Sequence, residues 1–261
     1  MPNVVDLYRH PVKSFTPERL DELHVENGKI KGDRVLGFRF ADQGAADDWS
    51  WRRKINFVAL SNSPGIALLE LSFNDESRIL SLNYAGESFA EGSIDSEEDR
   101  FDLSEALREY VSSLDENPLV GHPERVPLNL IGDGRQGLFH DFVNGGVTLY
   151  SRASLEALES HMVTEIDGRR FRTNVIIDGV EAWEELSWSG KISIGGKAYK
   201  VDQTVPRCLA THANPVNGER DHEIMKSLIS ANGYETPTFA ILLSPVEREA
   251  FIRVGDSVSV G

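Results

Sequence analysis

The residue best suited to chemistry in this sequence is its single cysteine. Cys208 follows Arg207 in the run 205–211, and Pro206 ends the strand predicted before it. A sulfur at a strand end beside a cation is stabilised as a thiolate, which is both a nucleophile and a ligand for soft metals. The alternative that the residues leave open is a small buried apolar side chain without a chemical role.

Three arginines close together form a second candidate. Arg169, Arg170 and Arg172 fall within four residues of an otherwise acidic chain. If the run 171–178 is a strand, Arg170 and Arg172 lie on one face of it, and two guanidinium groups on one face suit a phosphate or pyrophosphate. The alternative is an exposed basic strand edge that discourages aggregation.

A third candidate is the loop after the first predicted strand. Lys13 and Ser14 follow His10-Pro11-Val12 there. Such a loop offers a cation, a hydroxyl group and backbone N–H groups to an anion, although taken alone it reads as a plain turn.

Other patterns carry no chemistry. The run 132–137 spells G-x-G-x-x-G, but 144–146 interrupts any helix after it, so a glycine-rich turn is the better interpretation. The adjacent pair His140 and Asp141 is expected in a surface or turn role. No two histidines have the spacing of a metal site. The seven are His10, His24, His122, His140, His161, His212 and His222.

Composition narrows the function classes. The chain has 261 residues, one Cys, and 27 Lys and Arg against 42 Asp and Glu, for a net charge of −15. One cysteine excludes an internal disulfide and a four-thiolate metal cluster, and it favours a reducing cytoplasm. The negative charge argues against nucleic acid as a partner, while a local basic pocket for a small anion stays open. No apolar run is long enough to span a membrane, and no secretory signal is expected at the N-terminus.

Short strands separated by turn residues must position these groups. Helices are predicted from a capping box at Asp102 and Glu105, over 151–162 and over 221–232. The proline-rich stretch 117–127 predicts a boundary between domains 1–116 and 117–261. The fold class expected is mainly β with peripheral helices (α+β), built from barrels or curled sheets. Strands are predicted at 4–8, 35–40, 57–61, 66–73, 79–84, 171–178, 191–194, 198–203, 238–243 and 257–260.

Four motifs, in this order, resemble the MOSC family, which is named after the C-terminal domain of molybdenum cofactor sulfurase. The resemblance covers nearly the whole chain. It implies an N-terminal β-barrel-like domain over 1–116 and a MOSC β-barrel domain over 117–261. The chain departs from the family pattern at Thr173, where proline is usual, and at Phe15 and His212. The motifs are 8–14 (Y-R-H-P-V-K-S), 32–34 (G-D-R), 171–174 (F-R-T-N) and 207–211 (R-C-L-A-T), the last followed by Asn214-Pro215 and Gly218-Glu219.

The resemblance implies a molybdenum cofactor, a molybdopterin that ends in a phosphate or a nucleotide, with Cys208 as the metal ligand and catalytic residue. Similarity to amidoxime-reducing molybdoenzymes implies reduction of small N-hydroxylated substrates. The electrons would come from a separate flavin or iron–sulfur protein. The alternatives are a sulfur carrier or cofactor-handling protein with a Cys208 persulfide, and a scaffold that binds other anions. The implied cofactor-binding residues are Lys13, Ser14, Arg34, Ser151, Arg152, Arg170, Arg172, Asn174 and Arg207.

Overall fold

Strands dominate the computed structural model, which describes residues 1–261. The α-helices are α1 (Glu97–Ser112), α2 (Arg152–Met162) and α3 (Ile224–Asn232). The mainly β, α+β class expected from the sequence is confirmed. The strands are β1 (Asn3–Arg9), β2 (Glu18–Leu20), β3 (Glu22–Glu26), β4 (Lys29–Ile30), β5 (Gly37–Phe40), β6 (Leu69–Asn74), β7 (Ile79–Tyr84), β8 (Glu87–Ser93), β9 (Leu128–Ile131), β10 (Val147–Ser151), β11 (Val175–Asp178), β12 (Lys191–Ile194), β13 (Lys197–Pro206), β14 (Thr238–Pro245), β15 (Glu249–Arg253) and β16 (Val258–Val260).

One sheet of eight strands organises the molecule. Its order is β16-β12-β13-β14-β10-β11-β1-β2, with β10 and β11 parallel and every other pair antiparallel. The parallel pair is joined through α2, as a parallel connection requires a crossover. The terminal strands β16 and β2 are not paired with each other, so the closed barrel expected from the sequence is not seen.

Three smaller sheets complete the fold. They are β6-β7-β8, β5-β9 and β15-β3-β4. In β6 the side chains of Leu69, Leu71 and Phe73 alternate inward with exposed neighbours, which is the period of a half-buried strand. None of the three α-helices is both long and apolar enough to cross a bilayer.

The apolar side chains form several separate cores. One core, with Phe38 and Leu107, lies beneath α1 and the sheets β6-β7-β8 and β5-β9. A second, with Leu7 and Ile241, follows the eight-stranded sheet, and a third, around Phe239, lies beneath α2 and α3. Strands β1 and β3 pair with β11 and β15 from the other end of the chain. The division at residues 116 and 117 stays a prediction, and these two pairings join strands from both sides of it.

Two helix starts differ from the sequence-based prediction. Helix α1 begins after Ser96, whose side chain accepts a hydrogen bond from the Asp99 N–H, so Asp102 lies inside the helix and not at its cap. Helix α3 begins at Ile224, because the carboxylate of Asp221 is taken by an arginine. The predicted start of α2 after Ser151 and the end of α3 at Gly233 are confirmed.

The predicted strand 171–178 is wrong over its first half. Residues Gly168–Phe171 form a 3-10 turn, Arg172 has a φ of 51°, and the strand begins only at Val175. The cause is local: Asp167 accepts a hydrogen bond from the Arg169 N–H and starts the turn. The alternation of arginines on a strand face therefore does not apply here.

Candidate functional site

Most of the residues singled out from the sequence line one cavity of about 370 Å³. The cavity gathers side chains from the loop after β1, from the 3-10 turn before β11 and from the end of β13. Eight predicted residues share it: Lys13, Ser14, Arg34, Arg170, Arg172, Asn174, Arg207 and Cys208.

The structure places neither Ser151 nor Arg152 in this cavity. Ser151 is the buried cap of α2, where its hydroxyl donates to the carboxylate of Glu185 at 3.1 Å. Arg152 is half-exposed and pairs with Asp178 at 3.0 Å. Ser151 therefore caps α2 and Arg152 pairs with the end of β11, and neither lines the cavity.

The loop at Lys13 and Ser14 is held in place by the motif 32–34 (G-D-R). The buried carboxylate of Asp33 accepts a hydrogen bond from the His10 N–H at 2.7 Å and also pairs with Arg34. The Arg34 N–H donates to the His10 carbonyl at 2.7 Å. These bonds fix the direction in which the loop carries Lys13 and Ser14.

Cys208 stands between the end of β13 and a 3-10 turn over Leu209–His212. Its carbonyl accepts hydrogen bonds from the N–H and hydroxyl of Thr211, each at 3.0 Å. Its sulfur accepts a hydrogen bond from the Lys54 ammonium at 3.2 Å. Sequence reasoning missed Lys54, because 154 residues separate it from the cysteine.

The carboxylate of Asp141 bridges two lysines beside this sulfur. Its oxygens accept hydrogen bonds from Lys13 at 2.8 Å and from Lys54 at 2.6 Å. Burial raises the pKa of Asp141, but the two ammonium groups outweigh it and hold the pKa well below its usual range. The surface role expected for this pair is wrong for His140, which is buried, whereas Asp141 is half-exposed and lines the cavity.

Arg172 is a half-buried cation with one hydrogen-bond donor that has no partner. One nitrogen of its guanidinium donates to the Phe15 carbonyl, while Nη2 is buried and has no hydrogen-bond partner. Its own carbonyl accepts a hydrogen bond from Arg34 at 3.0 Å. Burial, reinforced by the charge of Arg34, lowers the pKa of Arg172 to about 9. An unpartnered donor of this kind calls for an acceptor in the cavity.

Arg170 and Arg169 differ in their burial and in their hydrogen-bond partners. The guanidinium of Arg170 donates to both oxygens of Asp221, at 2.8 and 2.7 Å, and to the His212 carbonyl at 2.9 Å. Arg169 is exposed and pairs with Asp167. The predicted clamp of Arg170 and Arg172 on one face is therefore wrong, since the fork of Arg170 is already occupied by a carboxylate of the chain.

Arg207 and Asn174 organise the walls of the cavity. Arg207 donates to the carbonyls of Phe239 at 2.7 Å and Phe171 at 3.0 Å, and burial lowers its pKa to about 10. The side-chain amide of Asn174 donates to the Tyr8 carbonyl at 3.1 Å. Arg207 thus ties the strand end before Cys208 to the turn at Phe171, and Asn174 ties that turn to β1.

Charge distinguishes the cavity from the rest of the molecule. Its lining holds six lysine or arginine side chains and one carboxylate, in a chain whose net charge is −15. Such a site favours a small anion. No three His, Cys, Asp or Glu side chains are grouped to hold a metal ion, so a metal in the cavity would have Cys208 as its one thiolate.

Acid is expected to destabilise the fold through His140. Burial lowers the pKa of His140 to about 4. The negative charge of Asp33 raises this pKa, and the positive charge of Arg34 lowers it. In the unfolded chain this histidine has an ordinary pKa of about 6.5, so between about pH 6.5 and 4 it binds a proton that it does not bind in the folded protein. The stability contributed by neutral His140 is complete above that ordinary pKa and is lost as the pH falls toward 4.

His140→Gln should therefore flatten the fall of the unfolding free energy in this pH window. The change in slope is up to about 1.4 kcal/mol per pH unit. Urea unfolding at pH steps measures it, with His122→Gln as the control because His122 is exposed. Identical slopes for wild type and His140→Gln would contradict the assignment.

Residues 137–259 match the family model of the MOSC domain. The match covers a little under half of the chain and confirms the resemblance seen in its motifs.

Among relatives, human mitochondrial amidoxime reducing component 2 is 29% identical over 161 residues, which is 58% of this chain and 42% of that protein. Molybdenum cofactor sulfurase of Drosophila erecta is 34% identical over 80 residues, which is 31% of this chain and 10% of that protein. The chain spans less than half of the length of these relatives. The crystal structure of the YUAD protein from Bacillus subtilis is 14% identical, with a TM-score of 0.44, covering 99% of this chain and 94% of that chain.

Proposed function

We propose that the cavity binds a molybdenum cofactor, with Cys208 as the protein ligand of its metal. The observation that carries the proposal is a single sulfur in a cavity lined by six cations, one of which, Arg172, has an unpartnered buried donor. Thiolate suits a soft metal, and the cations suit a phosphate-bearing pterin. The relatives named for amidoxime reduction and for molybdenum cofactor sulfuration support the same cofactor.

The residues present fit such a group. Arg172 and Arg34 would hold its anionic end, together with Ser14. Lys13 has given two of its three donors to Asp141 and the Phe139 carbonyl, so it contributes mainly its charge. When bound, the cofactor supplies two-electron oxidation and reduction. The protein orients it through the arginines and fixes the sulfur through Lys54.

The reaction we propose is the reduction of small N-hydroxylated compounds. Electrons would come from a separate flavin or iron–sulfur protein, since the single cysteine cannot hold a four-thiolate cluster. The acidic surface speaks against nucleic acid as a partner. The cytoplasmic location stays a prediction.

The activity is tested on protein made in cells that synthesise the cofactor. Reduced methyl viologen supplies electrons, and the loss of an N-hydroxylated benzamidine is followed by chromatography. The proposal predicts formation of the benzamidine at a rate that scales with the molybdenum content. Protein with a full complement of molybdenum that leaves the compound unchanged would overturn the reductase assignment.

Arg172→Ala is expected to weaken cofactor retention by roughly 10- to 100-fold, because a charged hydrogen bond from the free guanidinium nitrogen is lost. Arg172→Lys should recover only part of the loss, since an ammonium cannot reproduce the guanidinium fork. The half-life of the bound pterin at fixed salt, followed by its fluorescence, gives the measurement. Arg152→Ala is the matched control, because Arg152 lies outside the cavity. Equal losses in both variants would refute the role of Arg172.

A sulfur carrier is the second candidate, and the contact between Lys54 and Cys208 favours it. An ammonium at 3.2 Å from the sulfur would also stabilise a persulfide anion on Cys208. Rapid alkylation of freshly isolated protein, followed by mass spectrometry, would trap such a group. A persulfide in most molecules without molybdenum would favour this function over the first.

A further inference from the structure

The environment of the Cys208 sulfur is set by one side chain. Lys54 is the only residue that makes a hydrogen bond to this sulfur, and it comes from a 3-10 turn, Lys54–Asn56, in the first quarter of the chain. Its side chain is 35% exposed and lines the cavity. The ammonium therefore faces both the sulfur and the space from which another molecule reaches it.

The position of this ammonium is fixed by the chain itself. Lys54 donates to one oxygen of Asp141 at 2.6 Å. The other oxygen of Asp141 is held at 2.8 Å by Lys13, which is buried and anchored to the Phe139 carbonyl at 2.8 Å. A lysine with four rotatable bonds would otherwise spread its charge over many positions. The chain of contacts from Phe139 to Lys54 confines that charge to one side of the sulfur.

The other cations of the cavity are committed differently. Arg207 donates to backbone carbonyls, and Arg170 donates to Asp221. The donor left over on Arg172 is buried. Lys54 is thus the cation that both touches the sulfur and stays partly accessible.

We propose that Lys54 is a positioning residue that orients the Cys208 sulfur and makes the cavity selective for molecules with a negative charge next to the atom that meets the sulfur. The chemical class is that of carboxylates and other oxyanions carried one bond from the reacting atom. The inference rests on the second candidate function, in which the Cys208 sulfur itself meets another molecule, and not on the binding of a metal by that sulfur.

Paired alkylating reagents test this on the metal-free protein. Iodoacetate and iodoacetamide react in the same way: the sulfur forms a bond to carbon, the carbon–iodine bond breaks and iodide leaves. They differ in a carboxylate against a neutral amide one bond from the reacting carbon. Both consume the same thiolate, so the ratio of their rates does not depend on how much thiolate is present. The single cysteine makes the mass of each product unambiguous.

Lys54→Met is expected to lower the ratio of the iodoacetate rate to the iodoacetamide rate by about fivefold or more at low salt. Lys54→Arg should keep most of the wild-type ratio, because it retains the charge. Lys54→Gln keeps a side chain of similar polarity without the charge, so it should behave as Lys54→Met does. It also replaces Lys54→Met if that variant fails to fold by circular dichroism.

Lys226→Met is the matched control for net charge, since Lys226 lies on α3 with its side chain 84% exposed. Its ratio should equal that of the wild type. An unchanged ratio in both neutral Lys54 variants, or the same fall in Lys226→Met, would overturn the proposal. The readout uses no metal, so it fails independently of cofactor binding.

Discussion

Cys208→Ser is expected to abolish molybdenum binding while the protein stays folded. A hydroxyl is a harder and far less acidic ligand than a thiol, so it does not replace a thiolate on a soft metal. The fold has little to lose, because the backbone carbonyl of Cys208, and not its sulfur, makes the contacts that hold the following turn. We expect a change in unfolding free energy below about 1 kcal/mol.

Molybdenum per protein chain, by elemental analysis, and the unfolding midpoint are measured on the same preparation of Cys208→Ser. The account predicts that the first value falls to background and the second hardly moves. A purely structural role for the sulfur predicts the reverse, a small loss of stability with the metal retained. Stoichiometric molybdenum in the serine variant would show that the ligand is assigned wrongly.

Arg170→Ala is expected to destabilise the fold strongly. The side chain of Arg170 is 2% exposed and holds both oxygens of the Asp221 carboxylate, so its removal takes the guanidinium away from a partly exposed carboxylate that keeps only Asn214 as a hydrogen-bond donor. Breaking such a pair costs about 3 kcal/mol, at the lower end of the usual range because Asp221 is partly exposed. The pair also joins the turn at Phe171 to the segment before α3, which is where that segment is anchored.

Urea unfolding of Arg170→Ala gives this free energy, with Arg169→Ala as the matched control. Arg169 is a neighbouring arginine whose pair with Asp167 is exposed, so its loss should change stability by less than about 1 kcal/mol. If the two variants unfold at the same urea concentration, the structural role of Arg170 is refuted. If Arg170→Ala is as stable as the wild type and loses the cofactor, Arg170 would be a direct contact of the cofactor and not a structural residue.

Local patterns predicted much of the fold. The strand 79–84 matches β7 because its apolar and polar residues alternate, and the helix predicted over 151–162 matches α2, which begins after Ser151. The segment at Arg172 was not predictable in this way. Its positive φ is uncommon for a residue with a side chain, and it depends on contacts with Phe15 and Arg34 that lie far away in the sequence.

The residues of the site that belong to a sequence motif were predicted. The residues that depend on a contact between distant parts of the chain were missed. Cys208 belongs to the recognisable motif 207–211, and the structure brings Lys13 and Arg34, from two other motifs, into the same cavity. Lys54 and Asp141 have no such signal, since they are 87 residues apart and pair only in the folded chain. Their neighbours in sequence do not distinguish them from other surface lysines and aspartates.

The most direct test of the account is the metal and pterin content of the wild-type protein. It is purified from cells that make the molybdenum cofactor and, in parallel, from cells that cannot. The account predicts about one molybdenum and one pterin per chain in the first preparation and neither in the second, for one cavity with one thiolate ligand. Background levels of both in the two preparations, from a folded protein with an intact Cys208 thiol, would contradict it.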